Sequence, residues 1–96
     1  MIVINPKDLA LVKDILTKHL NGYEVRAFGS RVMGKPKPHS DLDLVIMSQS
    51  PISLVKMGDL REAFENSDVS ITVDCIDWAA ISDEFRAVIN QKYEVL

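Results

Sequence analysis

Asp41 and Asp43 stand two residues apart in an otherwise apolar run, Ser40-Asp41-Leu42-Asp43-Leu44-Val45-Ile46-Met47. Side chains alternate between the two faces of a β-strand. A strand here therefore aims both carboxylates at one face, about 6.5–7 Å apart along the chain, and turns Leu42, Leu44 and Ile46 to the other. Two carboxylates on one face repel, and burying both as unpaired ions is costly. The pair asks for a cation. Hard oxygen ligands suit Mg²⁺, which takes one or two carboxylates and completes its shell with water and substrate phosphates. Asp74 falls in a later strand-like run. If the two strands are neighbours, three carboxylates could hold two metals about 3.5–4 Å apart, the arrangement of in-line phosphoryl transfer. By itself the D-x-D pair is weak: Asp41 could simply cap the turn after a proline loop, and Asp74 could pair with a basic neighbour.

A second group of residues strengthens the reading. Phe28-Gly29-Ser30-Arg31 follows a short alternating stretch and opens a helical turn. Glycine lets backbone approach a ligand closely, and free N–H groups with a hydroxyl at a helix start bind anions. Arg31 adds a fork of donors matched to phosphate. Each residue alone has a plain structural alternative, Ser30 as an N-cap and Arg31 as a surface arginine. Together, a phosphate cradle and a carboxylate pair ten residues further on explain each other, because a triphosphate brings Mg²⁺ with it.

These residues need elements to hold them. Asn5 caps and Pro6 starts a helix with an apolar stripe of Leu9, Val12, Ile15, Leu16 and Leu20, its first turn carrying Asp8; Asn21-Gly22 ends it. Tyr23–Phe28 reads as a strand, Ser30–Met33 as a helical turn, and Gly34–Ser40, with Pro36 and Pro38, as a loop. Leu42–Met47 is apolar on both faces, which predicts a central strand. The stretch 49–57 carries no clear period. Asp59–Asn66 predicts a helix, Val69–Ile76 a third strand, and Ser82 caps a last helix with Phe85, Val88 and Ile89 on its apolar face. The order gives an α/β (α+β) domain over residues 1–96, with a small mixed sheet of three or four strands and helices against it.

Composition bounds the function. The chain has 96 residues, 47% of them hydrophobic, and a net charge of −3. An acidic balance without a basic stripe disfavours broad nucleic-acid binding and an end-adding role on nucleic acid. One cysteine, Cys75, excludes an internal disulfide and fits a reducing, cytoplasmic compartment. No signal-peptide pattern appears, and no apolar run nears the roughly 20 residues that span a bilayer, so no membrane role is expected. Cys75 and Trp78 read as core or interface residues, and Lys35 and Lys37 as a solvated loop.

The spacing Gly29-Ser30, ten residues, Asp41-Leu42-Asp43 resembles the signature of the nucleotidyltransferase superfamily related to DNA polymerase beta. Gly29-Ser30-Arg31 with Gly34, and Ser40-Asp41 with Asp43-Leu44, are similar to the "GSRxxG" and "SDxDL" motifs of its minimal (MNT) branch. Val73-Asp74 fits that branch's later "VD", and Phe85-Arg86 with Ile89 its "FRxxI". The resemblance covers nearly the whole chain. It implies a polymerase-beta-like fold and Gly29 and Ser30 on the nucleotide phosphates. It also implies Asp41, Asp43 and Asp74 as metal-binding catalytic carboxylates for two Mg²⁺ ions, with Asp74 helping to deprotonate the acceptor hydroxyl. The implied reaction moves a nucleoside monophosphate, AMP from ATP, to that hydroxyl. Little chain remains to bind an acceptor, so a partner is expected. The resemblance implies a small all-helical protein of the HEPN or substrate-binding type, in some pairs a toxin that the nucleotidyltransferase adenylylates as its antitoxin. Self-association is the other source of the missing surface. The competing class is a nucleotide-binding module that neutralises a helical partner by covering it, with little or no catalysis.

Overall fold

The first helix, α1 (Pro6–His19), begins where the Asn5 side chain accepts a hydrogen bond from Lys7 N at 2.8 Å. The computed structural model describes residues 2–96. After α1 come β1 (Val25–Phe28), α2 (Ser30–Met33), β2 (Leu42–Ile46), α3 (Leu54–Glu65) and β3 (Val73–Asp77). A 3₁₀ turn (Trp78–Ala80), α4 (Asp83–Gln91) and β4 (Glu94–Val95) complete the order. The strands form one mixed sheet, β3-β2-β1-β4. The β1–β2 and β1–β4 pairs are antiparallel, and β2–β3 is parallel, with α3 as the crossover. A parallel pair needs such a crossover because a tight turn cannot join strands that run the same way.

The sheet's period of two sorts its residues. Val25, Ala27, Leu42, Leu44 and Ile46 are buried against Val12 and Leu16 of α1 and Leu60 and Phe64 of α3. Each fully buried side chain of this size contributes about 1.5–3 kcal/mol. On the other face α4 buries Ile89, and Phe85 meets Phe28 edge to face with ring centroids 5.8 Å apart. As expected, β2 is central and Leu42, Leu44 and Ile46 anchor it. That leaves Asp43 on the face opposite α1 and α3.

The largest differences from the sequence reading are at α3, β3 and β4; the other element ends shift by one or two residues. Helix α3 starts at Leu54, five residues before Asp59, because Ser53 Oγ accepts from Lys56 N at 3.1 Å. Its first turn exposes Leu54 and Val55, so no apolar period marks it. Strand β3 starts at Val73 rather than Val69, because the chain before it bends to meet α1. Ser70 N and Oγ donate to the two carboxylate oxygens of Asp8, at 3.0 and 2.5 Å. The fourth strand is only two residues long, too short for a pattern.

Asp8 is thus more than a favourable charge at a helix start. It is buried, and the Ser70 hydroxyl and then the Ser70 N–H hold its pKa below the ordinary 3.8. Stability from a depressed carboxylate is present above the unfolded value and is lost as pH falls through the native one. Asp8→Ala is expected to cost about 2 kcal/mol at neutral pH. The gap to wild type should narrow toward about pH 3, as read by urea unfolding at both pH values.

Candidate active site

Gly29 sits at the end of β1 and starts α2, with φ 82° and ψ −159°. Its carbonyl accepts from both Val32 N and Met33 N at 3.0 Å. No side chain caps α2, so the hydroxyl of Ser30 is not spent there. Four residues generate little dipole; what this turn offers is directed N–H groups. Phe28 pairs with Asp43 across the β1–β2 ladder, which brings Gly29 against that carboxylate. A Cβ built on Gly29 would lie 2.5 Å from Asp43 Oδ2. Only glycine leaves room for the acid.

Asp43 in turn pairs with Asp74 in the parallel β2–β3 register. Partners in register on strands about 4.8 Å apart share a face. Asp41 immediately precedes β2, fixed there by Leu42 N donating to Thr72 O at 2.9 Å. The electrostatics follow: burial first, then the charges of Asp74 and Asp41, raise the Asp43 pKa above its ordinary value. The order across the sheet is Gly29-Ser30 at β1, Asp41 and Asp43 at β2, and Asp74 at β3.

Whether this set suits Mg²⁺ can be judged from its chemistry. Among the described residues no three His, Cys, Asp or Glu side chains form a ready-made cage. Mg²⁺ does not need one, since it is commonly held by one or two carboxylates together with substrate phosphates. Crowded like charge at Asp43, with a backbone cradle beside it, fits an ion that arrives with a phosphate ligand.

Arg31 departs from expectation. It is buried, 7% exposed, and its guanidinium donates to the carbonyls of Ser40 and Val3 at 2.9 Å and of Pro38 at 3.3 Å. Those donors are committed to backbone, so the phosphate role is replaced by a positioning one: Arg31 ties residues 38–40 of the loop before Asp41, and Val3, to α2. Ser40 closes the same loop, its Oγ accepting from Lys37 N at 2.8 Å. A further acid, Asp77, is buried and accepts from Ser48 Oγ, Ile52 N (2.7 Å) and Ala79 N (3.2 Å). It holds the 3₁₀ turn and the entry to α3. Arg86, in the "FRxxI" match, donates to Trp78 O at 2.9 and 3.1 Å and stacks over the Trp78 ring.

Cys75 packs partly against the core. Burial, and after it the charge of Asp74, pushes its thiol up to about 12. A thiol so protonated is a poor nucleophile. Native protein at neutral pH is expected to resist iodoacetamide while urea-unfolded protein reacts fully, as read by mass spectrometry.

Beside Asp41 and Asp74 opens a cleft of about 580 Å³, walled by the C-terminal half of α3 and by residues 69–75. Arg61 projects into its lining. The sequence reading passed over this arginine, because nothing in a helical period tells an arginine in a cleft from one in open solvent.

The polymerase beta nucleotidyltransferase family model matches residues 11–96. A Haemophilus influenzae protein named "Probable protein adenylyltransferase MntA" is 46% identical over 93 residues, 97% of this chain and 82% of the relative. A toxin–antitoxin structure with AMP-PNP superposes with a TM-score of 0.74 at 16% identity, over 96% of this chain and 72% of that one. The Enterococcus faecialis spectinomycin adenyltransferase, solved with ATP and spectinomycin, gives 0.58 at 19% identity, over 96% of this chain and 48% of its own. At such identities the two structures share a fold with this chain.

Proposed function

This chain belongs to the polymerase beta nucleotidyltransferase family and is a nucleotidyltransferase, and from that premise we propose that it moves AMP from ATP to a hydroxyl on a partner protein, as the antitoxin of a toxin–antitoxin pair. The observation that carries the chemistry is the seating of Asp43 between the Gly29 turn and Asp74. The name of the Haemophilus relative and the toxin–antitoxin likeness with AMP-PNP support the donor and the setting.

In this reading Gly29 backbone and the Ser30 hydroxyl hold the triphosphate. Asp41 and Asp43, joined by Asp74, hold two Mg²⁺ ions. When bound, such ions act as Lewis acids that neutralise charge on the transferring phosphoryl group. Asp74, exposed on the outer strand, takes the proton from the acceptor hydroxyl. The acceptor oxygen bonds to the α-phosphorus, the α-phosphorus bond to its bridging oxygen breaks, and pyrophosphate leaves with that electron pair. Arg31 keeps the loop before Asp41 in place. Residues 1–96 act as one minimal domain in the cytoplasm; no described helix is long and apolar enough to cross a membrane.

The partner in this reading is a small all-helical protein of the HEPN type. The test is incubation of the chain with α-labelled ATP, Mg²⁺ and the product of the adjacent gene. Label on that product, lost on chelation, is the expected result. Protection against the product's toxicity without label supports the binding module instead, and label on the chain itself points to self-association.

A further inference from the structure

Seven consecutive residues, 69–75, line the cleft beside Asp74. Of these, Val73, Asp74 and Cys75 belong to β3; side chains on one face of a strand supply only alternate positions, so three in a row mean that the backbone edge itself faces the cleft. Strand β3 is the edge of the sheet, with β2 on one side and, among the described residues, no strand on the other. Thr72 O accepts from Leu42 N. Backbone polar groups alternate sides along a strand, so those of Val73 and Cys75 turn outward to the cleft. Such an edge is a template for an added strand.

The position of the cleft assigns it to one substrate. In-line displacement places nucleophile and leaving group on opposite sides of the phosphorus. Across the sheet the order is phosphate cradle at β1, Asp43 at β2, Asp74 at β3, then the cleft. Pyrophosphate leaving toward Gly29-Ser30 requires an acceptor arriving over β3. The charge selects the acceptor's class. Asp41 and Asp74 of the lining belong to the metal-holding set of the proposed reaction, which leaves Glu65 and Arg61 as the charges that face an acceptor. Among the described residues Arg61 is the one cation of the lining. Arg26 and Arg86 pair with acids and Arg31 with carbonyls. Among the described residues Arg61 has no hydrogen bond or ion pair.

We propose that the cleft takes the acceptor protein as an extended segment paired along the open edge of β3, an acidic side chain of that segment meeting Arg61 while its hydroxyl reaches Asp74. This rests on the nucleotidyl-transfer reading above and names the acceptor's shape and charge at that site.

The experiment uses seven-residue peptides with a central Ser, Thr or Tyr, flanked by either Glu or Lys, α-labelled ATP and Mg²⁺. Wild-type chain is expected to label Glu-flanked peptides with a KM about 10-fold below that of Lys-flanked ones, a pairing difference of ~1.4 kcal/mol. Arg61→Glu should reverse that order, a gain on the Lys peptides that no misfolded variant can show. N-methylation of amides of one parity along the peptide should raise KM about 10-fold, and of the other parity leave it unchanged, because an added strand offers alternate amides to its partner. Equal effects of both parities, an unreversed preference, or label on an oligonucleotide end in place of peptide overturns the proposal. AMP release from ATP to water by the wild type reads the donor half alone. AMP release with no labelled peptide overturns this inference only, whereas no AMP release and no transfer overturns the nucleotidyl-transfer reading beneath it.

Discussion

Asp43→Asn is expected to lower nucleotidyl transfer by about 10³-fold, the scale on which a single preorganised electrostatic contact acts, while the protein without nucleotide or metal melts at or above the wild-type temperature. The two halves have one cause. Asp43 is crowded by Asp74 and Asp41 and partly desolvated, and its pKa is raised. A raised carboxylate pKa means that the folded state holds the proton more tightly than the unfolded chain. Ionised Asp43 therefore weighs against folding above the native pKa. Asparagine keeps the shape and removes the charge, so the repulsion goes and the fold gains. The same charge is what a cation with a bound triphosphate needs, so the reaction loses. Thermal melts of both proteins, with and without ATP and Mg²⁺, should show the order inverted: the variant at least as stable alone, the wild type alone gaining from ligand. Equal transfer rates, or a variant that melts well below wild type, would contradict the placement of Asp43 at the reacting centre.

The contrast explains which features could be read from the chain alone. The carboxylate pair was legible because it breaks a rule: charge where a strand should be apolar marks a site at which stability is given up for function. The face of Asp43 was legible because period two is strict within β2. Ser30–Met33 and the Asn5 and Ser82 caps were legible because the chemistry of each is local. Arg31 misled for the opposite reason. Its three acceptors are carbonyls at positions 3, 38 and 40, and a buried guanidinium satisfied by distant backbone leaves no local trace. Asp8 and Ser70 lie 62 residues apart, and their contact shortened β3 in a way that the alternation of Val69, Ile71 and Val73 could not announce. Arg61 and the cleft were invisible because they depend on how α3 lies beside β3.

Gly29→Ala should reduce transfer about 100-fold and cost about 1–3 kcal/mol of stability, and Gly34→Ala is the control that separates the two effects. Both glycines have positive φ, 82° and 83°. Gly34 follows α2 in the left-handed region, a common helix end, with nothing within 4 Å of an added Cβ. Alanine there meets backbone strain and no neighbour. Gly29, with ψ −159°, lies in a region that is essentially glycine's own, and its added Cβ meets Asp43 Oδ2 at 2.5 Å. That oxygen belongs to a side chain that can rotate, so the fold has a way to accept the methyl group. The escape turns Asp43 away from the Gly29 turn and out of its place beside Asp74. Gly34→Ala should therefore lose stability and keep the rate, whereas Gly29→Ala should lose both, with the deficit in kcat exceeding that in KM because triphosphate contacts at Ser30 survive. Matching melts and initial rates for the two variants decide the matter. If they lose transfer equally, strain in the loop limits the reaction; if only Gly29→Ala does, the close approach of backbone to carboxylate is itself part of the site.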